Sequence, residues 1–358
     1  MMTKNRTVII ISHIEDLDGL VSAALVKKYL LQQNYSPSCI NIRLTTYPNL
    51  PNEIRALSNR SDTFILYILD LGLNYEILSE IEKNFPKKTD PMIQTHVYFD
   101  HHEFPNYPRS IEQILNNFFN IIVNPSRYKA IEKEASNSLS DITRKCTADL
   151  IYETYPLLKS SFWDQLVYYA HLMDFKSDNM TINCDIAQNL NQYISFYQND
   201  EKKIYDLLDC MNDPISWKIF LQQLPKAMIS IKKWYSDQIS LISKSKIQSK
   251  FLGYSVIAAW ADLRSGEITS NLRLLYPEVD LILGLSVREK YLNIRTSKDF
   301  AHRLAEFFGG GGHKDRAGFS LPSKWENVVQ KYSSDLLFPS IILEDFLQQC
   351  TSILRTDG

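Results

Sequence analysis

Three short apolar runs in the first hundred residues stop abruptly at acidic residues or histidines, and they limit the folds that this chain can adopt. The runs cover residues 7–12, 63–69 and 96–99, and the first is almost entirely β-branched. Continuous apolar runs of this length are typical of strands that are buried on both faces, as in a parallel sheet. Residues 20–33 have an amphipathic pattern that predicts a helix. We therefore predict an α/β domain built on a parallel sheet.

Side chains that can bind a metal ion follow each of these predicted strands. Taken singly, they have ordinary explanations, since aspartate often caps a helix and a histidine pair at a strand end is more often structural than catalytic. Parallel winding, however, brings strand ends to one edge of the sheet, where open α/β folds bind ligands. The residues are His13, Asp16 and Asp18 after the first strand, Asp70 after the second, Asp100, His101 and His102 after the third, and Asp174 at the end of a predicted helix.

The five aspartates of this set would repel one another strongly if they lay together without compensating charge. Divalent cations would remove that cost. Carboxylate and imidazole ligands suit Mn²⁺ or Mg²⁺, and the pattern contains no thiolate that would favour zinc. The sequence therefore predicts a clustered divalent-metal site at the ends of the strands.

The composition narrows the class of protein further. The chain has 358 residues, is 44% hydrophobic and carries a formal net charge of -2. These values fit two or three globular domains and lack the basic excess of a protein that tracks long DNA. The five cysteines have no CxxC spacing, and the sequence shows neither a signal peptide nor an apolar run that could span a bilayer. We expect a cytoplasmic protein with reduced thiols, and the net charge leaves a short or small anionic substrate open, since local cations or metals can bind it.

Two further regions follow the predicted parallel domain, which we place at residues 1–180. Residues 181–249 are polar and rich in Asn, Gln and Lys, and they predict a helical connector. Residues 250–345 contain three strand-like apolar runs with helical patterns between and after them. This last region predicts a smaller α/β domain, large enough to fold as a lobe.

Four successive glycines, residues 309–312, end a predicted helix in the smaller domain and precede His313 and Lys314. Glycines permit positive φ and a close approach of the backbone to a ligand, and adjacent backbone N–H groups can bind an anion. A helix C-cap explains the first glycine. The other three are more typical of ligand contact than of packing; they are Gly310, Gly311 and Gly312.

The motifs together resemble the DHH phosphoesterase superfamily with its DHH-associated C-terminal domain. Asp100-His101-His102 matches the superfamily's signature, residues 13–19, Asp70 and Asp174 match its other acidic motifs, and residues 308–319 look like its GGGH motif. The matches occur in the family's order and span most of the chain. Within the superfamily, the sequence is most similar to nanoRNA-degrading oligoribonucleases and their cyclic-nucleotide phosphodiesterase relatives.

The resemblance implies a role for each matched residue. Two divalent metal ions, Mn²⁺ in preference to Mg²⁺, would be bound by two groups of ligands that share Asp70. His102 would face the phosphate, and Asp100 would orient a histidine, as ligating histidines usually require. The first group would be His13 and Asp16, and the second Asp18, His101 and Asp174. The substrate would contact Arg295, Gly310, Gly311, Gly312 and His313 across a cleft from the metals, with Arg264 and Arg316 as further helpers.

Two residues near the expected ligands stay open to interpretation. Glu15 adds an acid beside Asp16, and the spacing of this loop departs slightly from commoner family forms. His171 lies one helical turn before Asp174, and a packed helix histidine explains it better than a ligand does.

The resemblance implies a phosphodiesterase that hydrolyses very short RNA (nanoRNA) to mononucleotides with two metal ions. The same motifs also fit a cyclic dinucleotide phosphodiesterase and a 3′-phosphoadenosine 5′-phosphate phosphatase, and they do not separate these substrates. A non-catalytic nucleic-acid-binding scaffold is the alternative of a different class, and the retention of the expected ligands favours an enzyme. The sequence indicates no obligate protein partner and leaves a homodimer open.

Overall fold

The structure is a computed structural model, and it describes residues 4, 6–58, 63–73, 75–84, 96–102, 115–124, 145–175, 185–312, 314–332 and 336–356. The chain divides into two compact units, Met1–Met228 and Ile229–Gly358. The functional division into regions 1–180, 181–249 and 250–345 stays a prediction. Among the described residues, no helix is both long enough and apolar enough to cross a membrane.

The first unit is built on a five-stranded parallel sheet. In register, Ser12 pairs with Leu69, and Leu69 pairs with Phe99, so three strands end side by side. The predicted α/β class with an N-terminal parallel sheet is confirmed. The strands are β1 (Thr7–His13), β2 (Ile40–Thr45), β3 (Phe64–Leu69), β4 (Val97–Phe99) and β5 (Ile121–Val123), in the order β2-β1-β3-β4-β5.

Helices flank this sheet and continue to the end of the unit. They are α1 (Leu17–Gln32), α2 (Leu50–Ser58), α3 (Tyr75–Asn84), α4 (Thr147–Thr154), α5 (Ser161–Asp174), α6 (Asp185–Tyr197), α7 (Glu201–Cys210) and α8 (Pro214–Ser245), the last of which continues into the second unit. Ile9 and Ile11 of β1 share a core with residues of α2 and α3, whereas α1 contacts β1, β3, α4 and α5. Because the interior of β1 is fully buried, its sequence is a continuous apolar run.

The sequence pattern misses some local details of this unit. It does not predict β2, because this edge strand is only partly buried and lacks an apolar run. Helix α1 begins three residues earlier than predicted, because the Asp16 carboxylate accepts the Gly19 N–H at 2.9 Å and caps the helix at that point. A further apolar run over residues 118–123 is divided between two elements, since residues 115–118 are helical and β5 begins at Ile121. Short apolar runs do not distinguish buried helical turns from strands.

The second unit is built on a six-stranded mixed sheet. Strands β7 and β8 are parallel, and the other neighbouring strands are antiparallel. The sequence predicts β7, β8 and β9 but not the other three, which are short or partly exposed. The strands are β6 (Ile247–Phe251), β7 (Tyr254–Ala261), β8 (Leu281–Ser286), β9 (Tyr291–Thr296), β10 (Gly311–Gly312) and β11 (Arg316–Ser320), in the order β10-β11-β9-β8-β7-β6.

Two hydrophobic cores lie against this mixed sheet. One includes Ile268 and Leu272 of the helix that connects β7 to β8. The other contains an aromatic group in which the rings of Phe308 and Phe319 stack at 4.4 Å. The helices of this unit are α9 (Ser265–Leu275), α10 (Ala301–Phe307), α11 (Ser323–Tyr332), α12 (Ser340–Gln349) and α13 (Thr351–Thr356).

Candidate metal centre

The carboxyl ends of β1, β3 and β4 carry the residues that the sequence analysis selects. Asp70 follows β3 directly and adopts the left-handed conformation, with φ of 55°. Its backbone N–H donates to the carbonyl of Phe99 at 3.0 Å, which joins it to the end of β4. Aspartate tolerates this conformation better than most residues. The sharp turn leaves the Asp70 carboxylate buried, at 2% exposure, at the shared end of the strands.

The first group of candidate ligands surrounds His13 at the end of β1. Its Nδ1 lies 2.9 Å from Asp16 Oδ2 and 3.8 Å from Asp70 Oδ2. Its Nε2 lies 3.0 Å from Glu15 Oε2. Ligand atoms of His13, Asp16 and Asp70 all lie within 4.8 Å of one another. Asp16 therefore combines its role as a helix cap with a place in this group.

Gly19 makes this arrangement of the first loop feasible. A Cβ added at Gly19 would lie 2.2 Å from the backbone oxygen of His13, which is far inside the contact distance. The Ser12 hydroxyl also donates to the carbonyl of Gly19 at 2.7 Å. The first turn of α1 consequently packs directly on the end of β1 and holds His13 against it.

The second group of candidate ligands surrounds His101 after β4. Its Nδ1 lies 3.5 Å from Asp174 Oδ2, and its Nε2 lies 4.0 Å from Asp18 Oδ2. Ligand atoms of these three residues also lie within 4.8 Å of one another. Asp18 comes from the first turn of α1, and Asp174 is the last residue of α5. Three separate elements therefore supply this group.

Asp70 lies between the two groups. Its Oδ1 is 3.5 Å from His101 Nε2, and its Oδ2 is 3.8 Å from His13 Nδ1. One carboxylate therefore presents a different oxygen to each histidine. The structure brings together all six residues that the sequence analysis selects as metal ligands, and their coordination of a metal stays a prediction.

The electrostatics of the centre show an excess of negative charge. Burial raises the pKa of Asp18 well above its usual range, and the nearby Asp70 and Asp174 raise it further. Burial, together with Asp70 and Asp16, also raises the pKa of Asp174 to about 6 against the opposing charge of His101. Asp18 and Asp174 therefore favour their protonated forms. Burial would also raise the pKa of Asp70, but its interactions with His101 and His13 lower the pKa well below the usual value.

The same carboxylates raise the pKa values of the two histidines and so favour their charged forms. Burial would lower the pKa of His101, but its interactions with Asp70, Asp174 and Asp18 raise the pKa to about 11. Burial likewise opposes the rise in the pKa of His13, which its neighbouring carboxylates lift well above the usual value. The carboxylates therefore stabilise the imidazolium forms of His13 and His101.

The donor set fits divalent metal ions. The two groups offer only imidazole nitrogens and carboxylate oxygens, which suit Mn²⁺ or Mg²⁺. Divalent cations would also supply the positive charge that the shifted pKa values indicate is lacking. In the two-ion arrangement that the resemblance implies, Asp70 would bind both ions. His13 and Asp16 would bind one ion, and Asp18, His101 and Asp174 would bind the other.

Asp100 pairs with His102 rather than with His101. Its Oδ1 lies 2.6 Å from His102 Nδ1, and its Oδ2 accepts the Tyr98 hydroxyl at 2.8 Å and an amide hydrogen of Asn124 at 3.3 Å. Asp100 is fully buried, and the His102 side chain is 51% exposed. Burial would lower the pKa of His102, but the charge and hydrogen bond of Asp100 raise it. The predicted histidine-orienting contact of Asp100 is therefore made to the exposed histidine of the pair.

Helix α4 supplies contacts that the sequence analysis does not predict. Its first backbone amides and the Thr147 hydroxyl donate to the carboxylates of Asp18 and Asp70. The local sequence shows only a polar start to a helical pattern. It does not indicate that Thr147 contacts residues 129 and 77 positions away.

His171 contacts the same helix. Its Nδ1 lies 2.6 Å from Asp149 Oδ2, and Cys146 completes a compact group with these two residues. Burial raises the pKa of the Cys146 thiol far above its usual value, so it stays protonated. The preferred interpretation of His171 as a packed helix histidine is consistent with this hydrogen bond between helices.

In the second unit, the glycine run begins as a helix C-cap. Gly309 has φ of 78°, its N–H donates to the carbonyl of Glu306, and the Gly310 N–H donates to the carbonyl of Ala305. These two hydrogen bonds form a Schellman motif after α10. The interpretation of Gly309 as a helix cap agrees with this geometry.

The remaining glycines have different surroundings. A Cβ at Gly310 would lie 2.1 Å from the Gly318 carbonyl oxygen, and one at Gly312 would lie 2.6 Å from Ala317 Cα. Packing of this segment on β11 therefore requires glycine at both positions. The sequence analysis favours ligand contact over packing here and so misses this requirement. Gly311 alone of the three has no atom within 4 Å of an added Cβ. His313 lies outside the described residues.

Arg295 and Arg316 lie on neighbouring strands beside this glycine segment. They are directly opposite each other in the antiparallel register of β9 and β11. Arg264 lies elsewhere, at the N-terminus of α9. The edge of the second unit thus combines two facing arginines with a glycine strand.

The fold defines a class before any individual relative is considered. A parallel sheet with Asp-His-His after one strand is followed by a second unit with a mixed sheet and a glycine loop. This is the two-part α/β arrangement that the sequence resemblance predicts.

Solved structures of RecJ share this fold. The exonuclease RecJ bound to manganese matches with a TM-score of 0.55 at 13% identity, over 96% of this chain and 94% of that one. RecJ from Thermus thermophilus in complex with Mn²⁺ matches with a TM-score of 0.57 at 12% identity, over 91% of this chain. The match covers 51% of that RecJ, so this chain spans about half its length. No protein-family model matches the sequence, and no curated protein matches it either.

At these identities, the likeness establishes the fold. RecJ is of the DHH type, so the fold that the sequence resemblance implies is the fold that the described residues adopt.

Proposed function

We propose that this chain is a metal-dependent phosphodiesterase that hydrolyses short oligoribonucleotides to mononucleotides. The observation that carries the proposal is the position of Asp70, whose two oxygens face the histidines of two separate ligand groups at 3.5 and 3.8 Å. A carboxylate shared in this way is typical of sites that hold two ions on one phosphoryl group. The RecJ fold, which in one solved structure belongs to an exonuclease bound to manganese, supports the same class of chemistry.

Bound Mn²⁺ or Mg²⁺ would act as a Lewis acid on the phosphoryl oxygens and activate the attacking water. The chain's own contribution is to hold the ligands in a buried and rigid arrangement. Asp70 is fixed by its backbone hydrogen bond to Phe99, and Gly19 lets α1 pack close enough to fix His13. Positions held in this way need little reorganisation during the reaction.

His102 is the candidate for contact with the phosphate and the leaving oxygen. Its hydrogen bond with the buried Asp100 fixes the imidazole through Nδ1 and raises its pKa, so the ring carries positive charge over a wider pH range. Nε2 then serves as the donor to a phosphate oxygen or supplies the proton for the departing alkoxide. Asp100 acts in this scheme through His102 and not through a metal.

The second unit supports a substrate with an anionic end. Like charges directly opposite each other on neighbouring strands are destabilising, and Arg295 and Arg316 occupy such positions. An anion bound between them would relieve the repulsion, and the planar guanidinium group suits phosphate. We assign the binding of a nucleotide phosphate to Arg295, Gly311 and His313, with Gly310 and Gly312 allowing the loop to pack on β11.

The test is hydrolysis of a substrate panel by metal-stripped protein, with and without added Mn²⁺ or Mg²⁺. The panel holds an RNA dinucleotide, a longer RNA, a longer DNA strand, a cyclic dinucleotide, 3′-phosphoadenosine 5′-phosphate and pyrophosphate. We expect metal-dependent turnover that is fastest on the RNA dinucleotide. The Asp70→Asn variant serves as the matched inactive control.

The other outcomes lead to different conclusions. Preference for the cyclic dinucleotide or for 3′-phosphoadenosine 5′-phosphate would keep the mechanism and replace the substrate. Preference for long strands would contradict the nanoRNA proposal. Absence of turnover on every substrate, with metal shown to be bound, would favour the non-catalytic nucleic-acid-binding scaffold.

A further inference from the structure

The first turn of α4 contacts two of the candidate metal ligands at once. The backbone N–H of Thr147 donates to Asp18 Oδ2 at 2.8 Å, and that of Ala148 donates to Asp18 Oδ1 at 2.7 Å. The Thr147 hydroxyl donates to Asp70 Oδ1 at 3.0 Å. Thr147 is fully buried, and both carboxylates are 2% exposed. Solvent therefore has little access to these three hydrogen bonds.

These hydrogen bonds leave the carboxylates free to bind metal. Each carboxylate oxygen has two lone pairs, so one donated hydrogen bond per oxygen still leaves a lone pair for a cation. The first amides of a helix have no partner within the helix, and they lie at the positive end of its dipole. They consequently stabilise the ionised form of Asp18, the form that a metal requires, against the burial and like charges around it.

The start of α4 is itself held in place. The Cys146 N–H donates to Asp149 Oδ2 at 3.0 Å, and the same oxygen lies 2.6 Å from His171 Nδ1. His171 belongs to α5, which ends at Asp174. The turn that contacts Asp18 and Asp70 is thus connected to the helix that carries a third candidate ligand.

We propose that Thr147 is a positioning residue of the metal centre, which fixes the shared carboxylate of Asp70 through its hydroxyl and Asp18 through its amide. The proposal rests on the proposed function in taking these two carboxylates as metal ligands. Loss of the hydroxyl leaves the backbone amides in place and frees Asp70 to rotate. Partners that orient metal ligands in this way typically contribute about 10- to 100-fold to metal affinity.

The test is a calorimetric titration of the metal-stripped full chain with Mn²⁺ and no substrate. Thr147→Val replaces the hydroxyl by a methyl group of similar size, and Thr147→Ser restores the hydroxyl. We expect Thr147→Val to weaken Mn²⁺ binding about 10- to 100-fold and Thr147→Ser to stay within about threefold of the wild type. Thr154→Val is the matched control, since it removes a hydroxyl hydrogen bond from the other end of the same helix.

Equal Mn²⁺ affinity of Thr147→Val and the wild type would overturn the proposal, as would equal weakening by Thr147→Val and Thr147→Ser. If the valine variant does not fold, Thr147→Ala removes the same hydroxyl without placing a methyl group against Asp70, and the same expectations apply to it. Because the titration contains no substrate, its result is independent of the hydrolysis panel. A wild type that binds Mn²⁺ but hydrolyses nothing would contradict only the proposed function.

Discussion

The two units place opposite kinds of charge beside their strand ends. In the first unit, a parallel sheet ends in carboxylates and histidines that lie within a few ångströms of one another, such as His13 and Asp16 at 2.9 Å. In the second, Arg295 and Arg316 face each other across two antiparallel strands next to a glycine segment. Similar α/β elements therefore gather carboxylates and histidines in one unit and guanidinium groups in the other, as the proposed metal and phosphate sites require.

The difference shows how the direction of the strands determines what a sheet edge can hold. Parallel strands bring several carboxyl ends to one place, so distant residues such as Asp18, Asp70 and His101 converge. Antiparallel pairing instead sets residues of two strands directly opposite each other, which concentrates charge in pairs. We expect the first unit to control metal binding and turnover, and the second to control substrate affinity.

The largest expected effect belongs to Asp70→Asn. Asparagine tolerates the left-handed conformation of this position, so the change removes charge without straining the backbone. We expect metal-dependent hydrolysis to fall by at least about 10³-fold, because both ion sites lose a ligand charge. Steady-state kinetics at matched metal content measure this loss. Normal turnover under those conditions would contradict the two-metal assignment.

Arg295→Gln should weaken the binding of substrate by the second unit. We expect KM to rise about 10- to 100-fold, since hydrogen bonds to charged groups contribute about 1.5–3 kcal/mol, with Mn²⁺ affinity unchanged. Arg295→Lys is the control, because it keeps the charge but loses the planar fork that grips phosphate. A change in Mn²⁺ affinity, or a loss confined to kcat, would contradict the expectation that the first unit controls metal binding and turnover and the second controls substrate affinity.

Two glycine substitutions separate packing from ligand contact. Gly310→Ala should destabilise the second unit by about 1–3 kcal/mol, because the new methyl group meets the Gly318 carbonyl oxygen. A methyl group added at Gly311 meets open space, so Gly311→Ala should leave the free energy of unfolding nearly unchanged. Chemical denaturation measures both effects. If Gly311→Ala raises KM while folding normally, the loop contacts the substrate; an unchanged KM would argue against contact at that position.

The smallest expected effect concerns Asp280 in the second unit. Hydrogen bonds from the Ser255 backbone and hydroxyl, at 2.9 and 2.8 Å, outweigh partial burial and lower the pKa of this carboxyl. A lowered pKa stabilises the fold above the unfolded value of about 3.9 and ceases to do so as the pH falls through the folded value. We expect Asp280→Asn to cost about 1 kcal/mol at pH 7 after allowance for solvent screening.

Urea denaturation at pH 7 and pH 4 tests this last prediction. The difference between wild type and Asp280→Asn should be smaller at pH 4, because the carboxyl begins to take up a proton in the unfolded chain. The same measurement on Ser255→Ala shows how much of this free energy depends on the hydrogen bond from the Ser255 hydroxyl. A difference that grows as the pH falls would contradict the direction of the pKa shift.

The sequence by itself determines the parallel sheet and the residues at its edge. Because β1 and β3 are buried on both faces, their positions are visible as apolar runs, and the polar residues that stop each run mark the strand ends. The same local pattern identifies Gly309 as the residue that caps α10. These features depend on a few neighbouring residues, so a one-dimensional pattern carries them.

Tertiary structure alone decides how those residues divide their contacts. Asp100 binds His102 and not its neighbour, and its carboxylate is fixed by Tyr98 of β4 and by Asn124, which follows β5. Packing on β11, which depends on the sheet register, requires Gly310 and leaves open space at Gly311.

The contact of Thr147 with Asp18 and Asp70 is the clearest case. It joins residues 129 and 77 positions apart, and no local pattern records it. Periodicity reports which face of an element is buried, whereas hydrogen bonds between distant side chains depend on how the elements pack together. The sequence therefore determines which groups reach the edge of the sheet, and only the packing of α4 and α5 decides which groups hold them there.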